Sequence, residues 1–227
     1  MARILDHKIW GKLFNRNVVI VEDEALLRDL VAKSLEAAGF SVAVAANAAE
    51  AKKLFQDFDP DAVVLDIELG AGPNGFDFAQ WIQATSPDVG IVFLTNLPDA
   101  RFAGQDPNEL PKGVSYLRKS QLIDSNELVN ALEAVLHDSV TPHMRHDLNP
   151  SRPLATLSKK QIEVLQLIAA GYSNGQIAEK RATSIRAVEG IVSRVFIALG
   201  VDIDAGGNAR VEAAAKYLKA SGTTTGE

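Results

Sequence analysis

Hydrophobic and polar positions along the chain follow two periods in turn. Short apolar runs rich in β-branched residues, typical of buried strands, alternate with stretches in which apolar residues recur at helical spacing. The predicted strands are residues 18–21, 41–44, 62–65, 91–94 and 114–117, and the predicted helices are 25–38, 48–58, 76–84 and 121–137. This alternation predicts a doubly wound α/β domain over residues 17–137, with a five-stranded parallel sheet covered on both faces.

The connection between the fourth and fifth strands breaks the pattern. Pro98, Gly104, Pro107 and Pro111 interrupt it. Proline removes a backbone donor and clashes with the preceding helical turn. We therefore expect any helix in this connection to be short or broken.

A second, all-helical domain is predicted after the sheet. Residues 138–156 contain three prolines and little periodicity, so they are predicted to be a linker. Helical patterns follow at 157–170, 176–181, 185–199 and 209–220. The apolar stripe on these helices predicts a compact core made of Leu157, Ile162, Leu165, Ile168, Ile177, Val188, Ile191, Val195 and Leu199. The chain would thus consist of an N-terminal extension (1–16), the α/β domain (17–137), the linker (138–156), the helical domain (157–220) and a disordered tail (221–227).

Composition narrows the class of protein. The chain has 227 residues, of which 47% are hydrophobic and 23% charged, as expected of a folded protein. It has no cysteine, which excludes disulfides, thiolate zinc sites and thiol nucleophiles. No apolar run approaches the roughly 18 residues of a membrane span, and the N-terminus lacks the apolar core of a signal peptide. A cytoplasmic protein with no membrane partner is the expectation.

Charge is distributed unevenly between the two halves. Residues 1–151 hold 13 basic and 22 acidic residues, for a net charge of −9, whereas residues 152–227 hold 10 and 7, for a net charge of +3. Different partners are therefore expected for the two parts. A charge of +3 permits nucleic-acid binding without demonstrating it.

Acidic residues stand where a parallel sheet places its ligands. Glu22 and Asp23 directly follow the first strand, and Asp66 follows the third. In a doubly wound sheet these strands are neighbours, so the three carboxylates are expected to meet at one edge. Clustered carboxylates repel one another unless a cation offsets their charge. Hard oxygen ligands of this kind suit Mg²⁺.

A hydroxyl group and an ammonium group join these carboxylates as candidate site residues. Thr95 ends the fourth strand and Lys119 follows the fifth. Each residue alone has an ordinary structural interpretation: an acid after a strand often caps a helix, Thr is a common strand residue and Lys is usually solvated. Their combination at four strand ends favours a site that accepts a phosphoryl group onto a carboxylate.

The segments around these residues resemble the receiver domain of bacterial two-component response regulators, over about residues 17–137. The resemblance implies a flavodoxin-like fold with Asp66 as the acceptor of a phosphoryl group from a histidine of a sensor kinase. It implies an acidic pair, Glu22 and Asp23, and Mg²⁺ held by Asp23, Asp66 and the main-chain carbonyl of Glu68. The remaining implied roles are a switch pair, Thr95 and Tyr116, and a phosphoryl-contacting lysine, Lys119.

Two residues depart from the receiver pattern. Asn96 follows Thr95 where receivers often have a small residue, and it could restrict access to Asp66. Ser120 follows Lys119 where a proline is usual. With the broken fourth connection, these departures leave the site chemistry intact but point to unusual switching.

The second domain resembles the LuxR-type helix-turn-helix of the NarL/FixJ branch of response regulators, over about residues 155–220. The resemblance implies a recognition helix that binds double-stranded DNA and a last helix that forms a homodimer contact. Ser184 is expected to cap the recognition helix. The candidate DNA contacts are Lys180, Arg181, Ser184, Arg186, Glu189, Ser193 and Arg194.

This domain also departs from its family. Glu189 and Ala198 occupy positions that are commonly basic, Arg181 stands where a core Leu is usual, and Ala187 replaces a common Thr. A glutamate that faces phosphates would weaken binding, whereas one that faces a base edge could accept a hydrogen bond from cytosine.

The sequence therefore supports a main hypothesis and two alternatives. The main hypothesis is a response regulator, not a metabolic enzyme, in which phosphorylation of Asp66 controls dimerisation and DNA binding. The first alternative is a phosphorylation-gated protein-interaction module whose helix-turn-helix no longer holds DNA. The second is an aspartyl-phosphate hydrolase with Glu68 as acid/base, which the Glu22–Asp23 pair disfavours.

Overall fold

The computed structural model describes residues 16–201 and 208–222. The expectations for most of the N-terminal extension and for residues 223–227 lie outside these ranges. Contacts divide the described chain into two compact units, of which the first contains residues 16–95 and 111–145. The second contains residues 96–110 and the described residues from 146 onwards. The connection between the fourth and fifth strands thus belongs, by its contacts, to the second unit.

The first unit is the predicted doubly wound α/β fold. Its elements are β1 (Asn17–Val21), α1 (Ala25–Ala37), β2 (Ser41–Ala45), α2 (Ala48–Phe58), β3 (Ala62–Leu65), α3 (Gly75–Thr85), β4 (Gly90–Thr95), β5 (Ser115–Arg118) and α4 (Ser125–Leu136). All strand pairs are parallel, in the order β2-β1-β3-β4-β5. The expected pairing of the first and third strands is confirmed, with Val21 beside Leu65.

Burial on both faces explains the continuous apolar runs. Every residue of β3 is buried. On one face, side chains of β1 and β3 pack with Leu132 of α4 in a single apolar cluster. On the helical side formed by α2 and α3, the Phe55 ring meets Phe78 and Trp81 edge-on. A parallel sheet covered on both faces requires such runs because neither face of its strands meets water.

Part of the predicted linker packs beside the last strand. Ser115 donates from its hydroxyl to the carbonyl of Met144 at 2.9 Å. Tyr116 forms an isolated parallel bridge with Arg145. Short pairing of this kind covers the otherwise open edge of β5.

The second unit contains α5 (Lys159–Ala169), α6 (Asn174–Lys180), α7 (Ile185–Leu199) and α8 (Ala209–Ser221). Ser158 and Ser173 begin α5 and α6 with reciprocal capping boxes. All of the predicted core residues are buried except Ile191 and Leu199, which are half-buried.

The fourth connection has no α-helix, as its prolines predicted. It forms two short 3-10 turns, Ala100–Ala103 and Pro107–Glu109. Within the described ranges, no helix has both the length and the apolar character needed to cross a bilayer.

We expect Leu132→Ala to lower the free energy of unfolding by about 2–5 kcal/mol, because it removes a side chain from the filled core of the first unit. Leu30→Ala is the matched control: Leu30 is 56% exposed on α1, so this change should stay within about 0.5 kcal/mol. Urea unfolding measures both. Equal effects of the two substitutions would contradict the packing described for α4.

Candidate functional site

The side chain of Lys119 lies between two carboxylates at the carboxyl edge of the sheet. Its Nζ is 2.7 Å from Oε2 of Glu22 and 2.8 Å from Oδ2 of Asp66. The strand order produces this arrangement, because β1 and β3 are neighbours and each ends one residue before its acid. Lys119 follows the end of β5 in the same way. The predicted meeting of these side chains is therefore present.

Burial and neighbouring charges shift the pKa values of Glu22 and Lys119. Burial raises the pKa of Glu22, and the negative charge of Asp66 adds to that effect against the hydrogen bond from Lys119. Burial by itself would lower the pKa of Lys119, but the charges and hydrogen bonds of Asp66 and Glu22 outweigh it and raise that pKa. Lys119 thus remains an ammonium ion at neutral pH.

Asp66 is buried and oriented by its own loop. Its Oδ1 accepts hydrogen bonds from the backbone N–H groups of Ile67 at 2.6 Å and Glu68 at 3.3 Å. Its Oδ2 accepts from Lys119. The carboxylate is therefore held from both sides, which is the preorganisation that a nucleophile at this position needs. The Glu68 side chain is exposed.

Glu22, Asp23 and Asp66 form an acidic cluster. Each offers a carboxylate oxygen, and these oxygens lie within 4.8 Å of one another. Glu22 and Asp66 are buried and Asp23 is exposed. Three carboxylates against one ammonium leave negative charge, and their hard oxygen atoms fit a small divalent cation. Neither Glu22 nor Asp23 is the N-cap of α1, because Glu24 occupies that position and makes no side-chain cap bond.

Thr95 and Tyr116 lie on the two strands next to this cluster. Thr95 is fully buried at the last position of β4 and pairs in register with Arg118, the residue before Lys119. Tyr116 is fully buried on β5, and its ring centroid is 5.9 Å from that of Phe93.

Two residues support the site without having been predicted. A Cβ on Gly75 would lie 2.2 Å from the main-chain oxygen of Asp66, so only glycine allows α3 to begin this close to the loop after β3. The guanidinium of Arg28 donates to the carbonyl of Glu22 at 2.7 Å and to that of Asp23 at 3.3 Å. The Asn-Gly pair at 74–75 was a local signal for the first, whereas nothing in the sequence marks Arg28.

The candidate DNA contacts in the second unit lie on and before α7. Ser184 is the N-cap, and its hydroxyl accepts from the N–H of Ala187 at 3.2 Å, as predicted. Exposed on α7 are Arg186, Glu189, Ser193 and Arg194. Lys180 is exposed at the end of α6, with its ammonium 4.5 Å from the ring centroid of Tyr172.

Arg181, which was also predicted to contact DNA, makes an internal contact in the structure. Its guanidinium forms an ion pair with Glu163 of α5, and only 19% of its side chain is exposed. Arginine in place of the usual core Leu is accommodated because Glu163 compensates its charge inside the unit. The guanidinium is therefore occupied by an internal contact.

A buried acid, an acidic pair, a hydroxyl and a lysine at the carboxyl ends of four parallel strands, followed by a helix-turn-helix, define a signal-receiving regulator. The model of the response regulator receiver domain matches residues 18–133, and that of bacterial regulatory proteins of the luxR family matches residues 155–204. The chain belongs to the response regulator family, with a receiver domain followed by a LuxR-type helix-turn-helix, an architecture of transcription regulation. Neither family model describes a class of enzyme.

The chain is also similar to a curated protein and to solved structures. The chain is 28% identical over 199 residues to the oxygen regulatory protein NreC of Staphylococcus aureus, covering 81% of this chain and 91% of that protein. A structure of two RcsB dimers bound to two parallel DNAs has a TM-score of 0.57 at 21% identity and covers 90% of this chain and 99% of RcsB. RcsB from Salmonella enterica serovar Typhimurium, bound to promoter rprA in the presence of the phosphomimetic BeF₃⁻, has a TM-score of 0.56 at 23% identity, with coverage of 91% and 99%. These two likenesses concern the fold.

We expect Gly75→Ala to lower the free energy of unfolding by about 1–3 kcal/mol, because the new methyl group overlaps the Asp66 carbonyl and forces α3 away from β3. Gly175→Ala, also in the first turn of a helix, is the control: the nearest atom to its new Cβ is the Ser173 hydroxyl at 3.9 Å. That substitution should be neutral or stabilising by up to about 1 kcal/mol. Urea unfolding compares them, and a harmless Gly75→Ala would mean that the close approach is not required.

Proposed function

We propose that Asp66 accepts a phosphoryl group from a phosphohistidine of a sensor histidine kinase and that this controls dimerisation and DNA binding by the helix-turn-helix. The observation on which the proposal depends is the Lys119 ammonium between Glu22 and Asp66, beside Asp23. This arrangement combines a held carboxylate nucleophile with positive charge where phosphoryl oxygens would lie.

In the proposed reaction, a carboxylate oxygen of Asp66 forms a bond to phosphorus while the bond from phosphorus to the donor imidazole nitrogen breaks. Glu22, Asp23, Asp66 and the main-chain carbonyl of Glu68 would hold Mg²⁺, which supplies positive charge opposite the phosphoryl oxygens. Lys119 exchanges its contact with Asp66 for one with the new phosphoryl group. Thr95 and Tyr116, buried on the neighbouring strands, would respond to that group.

The proposed DNA surface is the exposed side of α7 with the residues just before it. Lys180, Arg186 and Arg194 supply charge for phosphates, and Ser184 and Ser193 supply hydroxyl groups. We leave Arg181 out of the proposed surface because its guanidinium is paired with Glu163. The structure of RcsB was determined with promoter DNA in the presence of the phosphomimetic BeF₃⁻. This supports a link between the phosphoryl site and DNA binding in the present protein.

The phosphoacceptor is tested by Asp66→Asn, which removes the nucleophilic oxygen with little change of shape. Wild-type protein incubated with phosphoramidate and Mg²⁺ should gain the mass of one phosphoryl group, and Asp66→Asn should gain none. Asp29→Asn, which neutralises an exposed carboxylate on α1, should react like wild type. Stable labelling of Asp66→Asn, or none of wild type, would contradict the assignment.

Exposed Glu189 favours a second candidate, a protein-interaction module with little affinity for DNA. The two candidates differ in salt dependence, because a DNA-binding protein releases counterions and its affinity falls steeply as salt rises. A flat dependence for the beryllofluoride-treated protein would favour the interaction module.

For the DNA-binding candidate, Glu189→Gln should tighten duplex binding by up to about 1 kcal/mol, because it removes a negative charge from a surface that faces phosphates. Arg186→Gln should weaken binding and reduce the salt slope by about one unit. Arg181→Gln is the matched control and should leave the slope unchanged, since its guanidinium is already paired. Fluorescence anisotropy with labelled duplex measures all three, and identical slopes throughout would exclude α7 as the DNA surface.

A further inference from the structure

The connection between β4 and β5 is unusually buried for a loop. Residues 97–102 are buried without a break. Loops normally run over the surface, because a buried loop must satisfy its backbone polar groups without a regular ladder. Although the receiver match includes residues 96–110, their contacts place them in the second unit, where the turn Ala100–Ala103 packs on α5.

A buried network of charges holds this connection. Asp99 is fully buried, and its Oδ2 accepts from Nη2 of Arg101 at 2.6 Å and from Nε of Arg152 at 2.7 Å. Its Oδ1 accepts from Nε of Arg101 at 2.8 Å. Arg101 and Asp99 thus form a bidentate pair, and Arg152 joins it from 53 residues away.

The remaining donors of Arg101 point at the backbone that leads into α5. They bond to the carbonyls of Leu154, Ala155 and Leu157. Burial alone would raise the pKa of Asp99, but the hydrogen bonds from Arg101 and Arg152, with their charges, outweigh it and hold that pKa below its ordinary value. We call Asp99, Arg101 and Arg152 the crossover clamp.

Aromatic and backbone contacts reinforce the clamp at the last helix. The rings of Phe102 and Tyr217 stack with centroids 5.5 Å apart. A Cβ on Gly222, just beyond α8, would lie 3.1 Å from Cβ of Asn96. The start of the connection, at Asn96, therefore lies beside the end of α8. Its middle contacts α8 through Phe102 and the backbone before α5 through Arg101.

Both switch residues lie next to points where the chain passes from one unit to the other. Thr95, on the neighbouring strand end to Asp66, is covalently joined to Asn96, the first residue of the connection. Tyr116 is bridged to Arg145, which is joined to His146 of the second unit. Thr95 is thus one peptide bond from the second unit, and Tyr116 is connected to it through the bridge to Arg145 and the peptide bond that follows.

We propose that residues 96–110 couple the phosphoryl site to the helix-turn-helix. The crossover clamp does this by fixing these residues to the rest of the second unit. The inference rests on the proposed function, since it concerns how phosphorylation at Asp66 reaches the helix-turn-helix. When Thr95 moves on phosphorylation, residues 96–110 move with it. Because the clamp bonds them to the backbone before α5 and Phe102 stacks on α8, the displacement is transmitted to these two helices. Loosening the clamp therefore uncouples DNA binding from the phosphoryl site while leaving that site intact.

The test uses the full chain with Arg101→Met, which keeps the side chain's length and removes its charge and donors. Duplex affinity is measured with and without beryllofluoride and Mg²⁺, and ¹⁹F NMR of the bound fluoride verifies that Asp66 is loaded. Wild type should change its affinity by about 5–150-fold, the usual range of coupling between sites, and Arg101→Met by less than about twofold. Loading of Asp66 should be retained in both.

Arg210→Met is the matched control. Arg210 donates to the carbonyl of Tyr172 and to Oδ1 of Asn174 within the same unit, away from the connection. It should couple like wild type. If both variants lose coupling together, the loss reflects general loosening of the unit and the proposal fails.

A second variant covers the case in which Arg101→Met does not fold. Phe102→Leu keeps the charges and removes the stacking on Tyr217, and it should reduce coupling and speed amide hydrogen exchange over residues 97–105. Rapid exchange there with unchanged coupling would overturn the proposal. If wild type binds beryllofluoride without changing its DNA affinity, the proposed function is refuted. If wild type and the clamp variants all change their DNA affinity on binding beryllofluoride, only the present inference is refuted.

Discussion

The parallel pairing of β1 with β3 is the constraint on which the site depends. Because Val21 lies beside Leu65, the acids that follow these strands begin at the same edge of the sheet. Carboxylates held this close raise one another's pKa unless positive charge is near. Lys119 provides one such charge from the end of β5, and it leaves the acidic cluster with negative charge to spare. Any slip in strand order would separate these groups and remove the chemistry.

A second constraint operates inside the second unit. Asp99 has no exposed surface, so its charge is tolerable only while both arginines bond to it. Removing one partner leaves buried charge uncompensated, which is far more costly than losing a surface ion pair. The short connection is therefore held by buried hydrogen bonds although it lacks an α-helix. Burial of residues 97–102 distinguishes this segment from an ordinary surface loop with the same proline content.

Charge on the helix-turn-helix is divided between internal and external roles. Arg181 is used internally with Glu163, and Arg210 bonds to the backbone of the α5–α6 connection. The Arg181–Glu163 pair is neutral and leaves the net charge of this part of the chain unchanged, whereas the charge of Arg210 is directed at the protein's own backbone. The exposed residues of α7 include Glu189 among the basic groups. The exposed side of α7 therefore carries charges of both signs.

The pattern of apolar and polar residues was enough to predict most of the elements and which side chains would meet at the carboxyl edge of the sheet. Helices 48–58 and 185–199 begin and end at the predicted residues, because local caps and apolar spacing define them. Helix α4 was predicted from residue 121 but begins at Ser125, since Asp124 caps it and residues 119–121 form a 3-10 turn. Strand order then followed from the general rule for doubly wound sheets.

The crossover clamp and the pairing of Arg181 with Glu163 became visible only in the folded chain, which also supplies the reason for glycine at position 75. Asp99 and Arg152 are 53 residues apart, and no local period marks either of them. The half-burial of Ile191 and Leu199 likewise depended on which helices pack beside α7. Propensity and periodicity record interactions within a few residues, whereas these features arise from groups that meet only after the chain has folded.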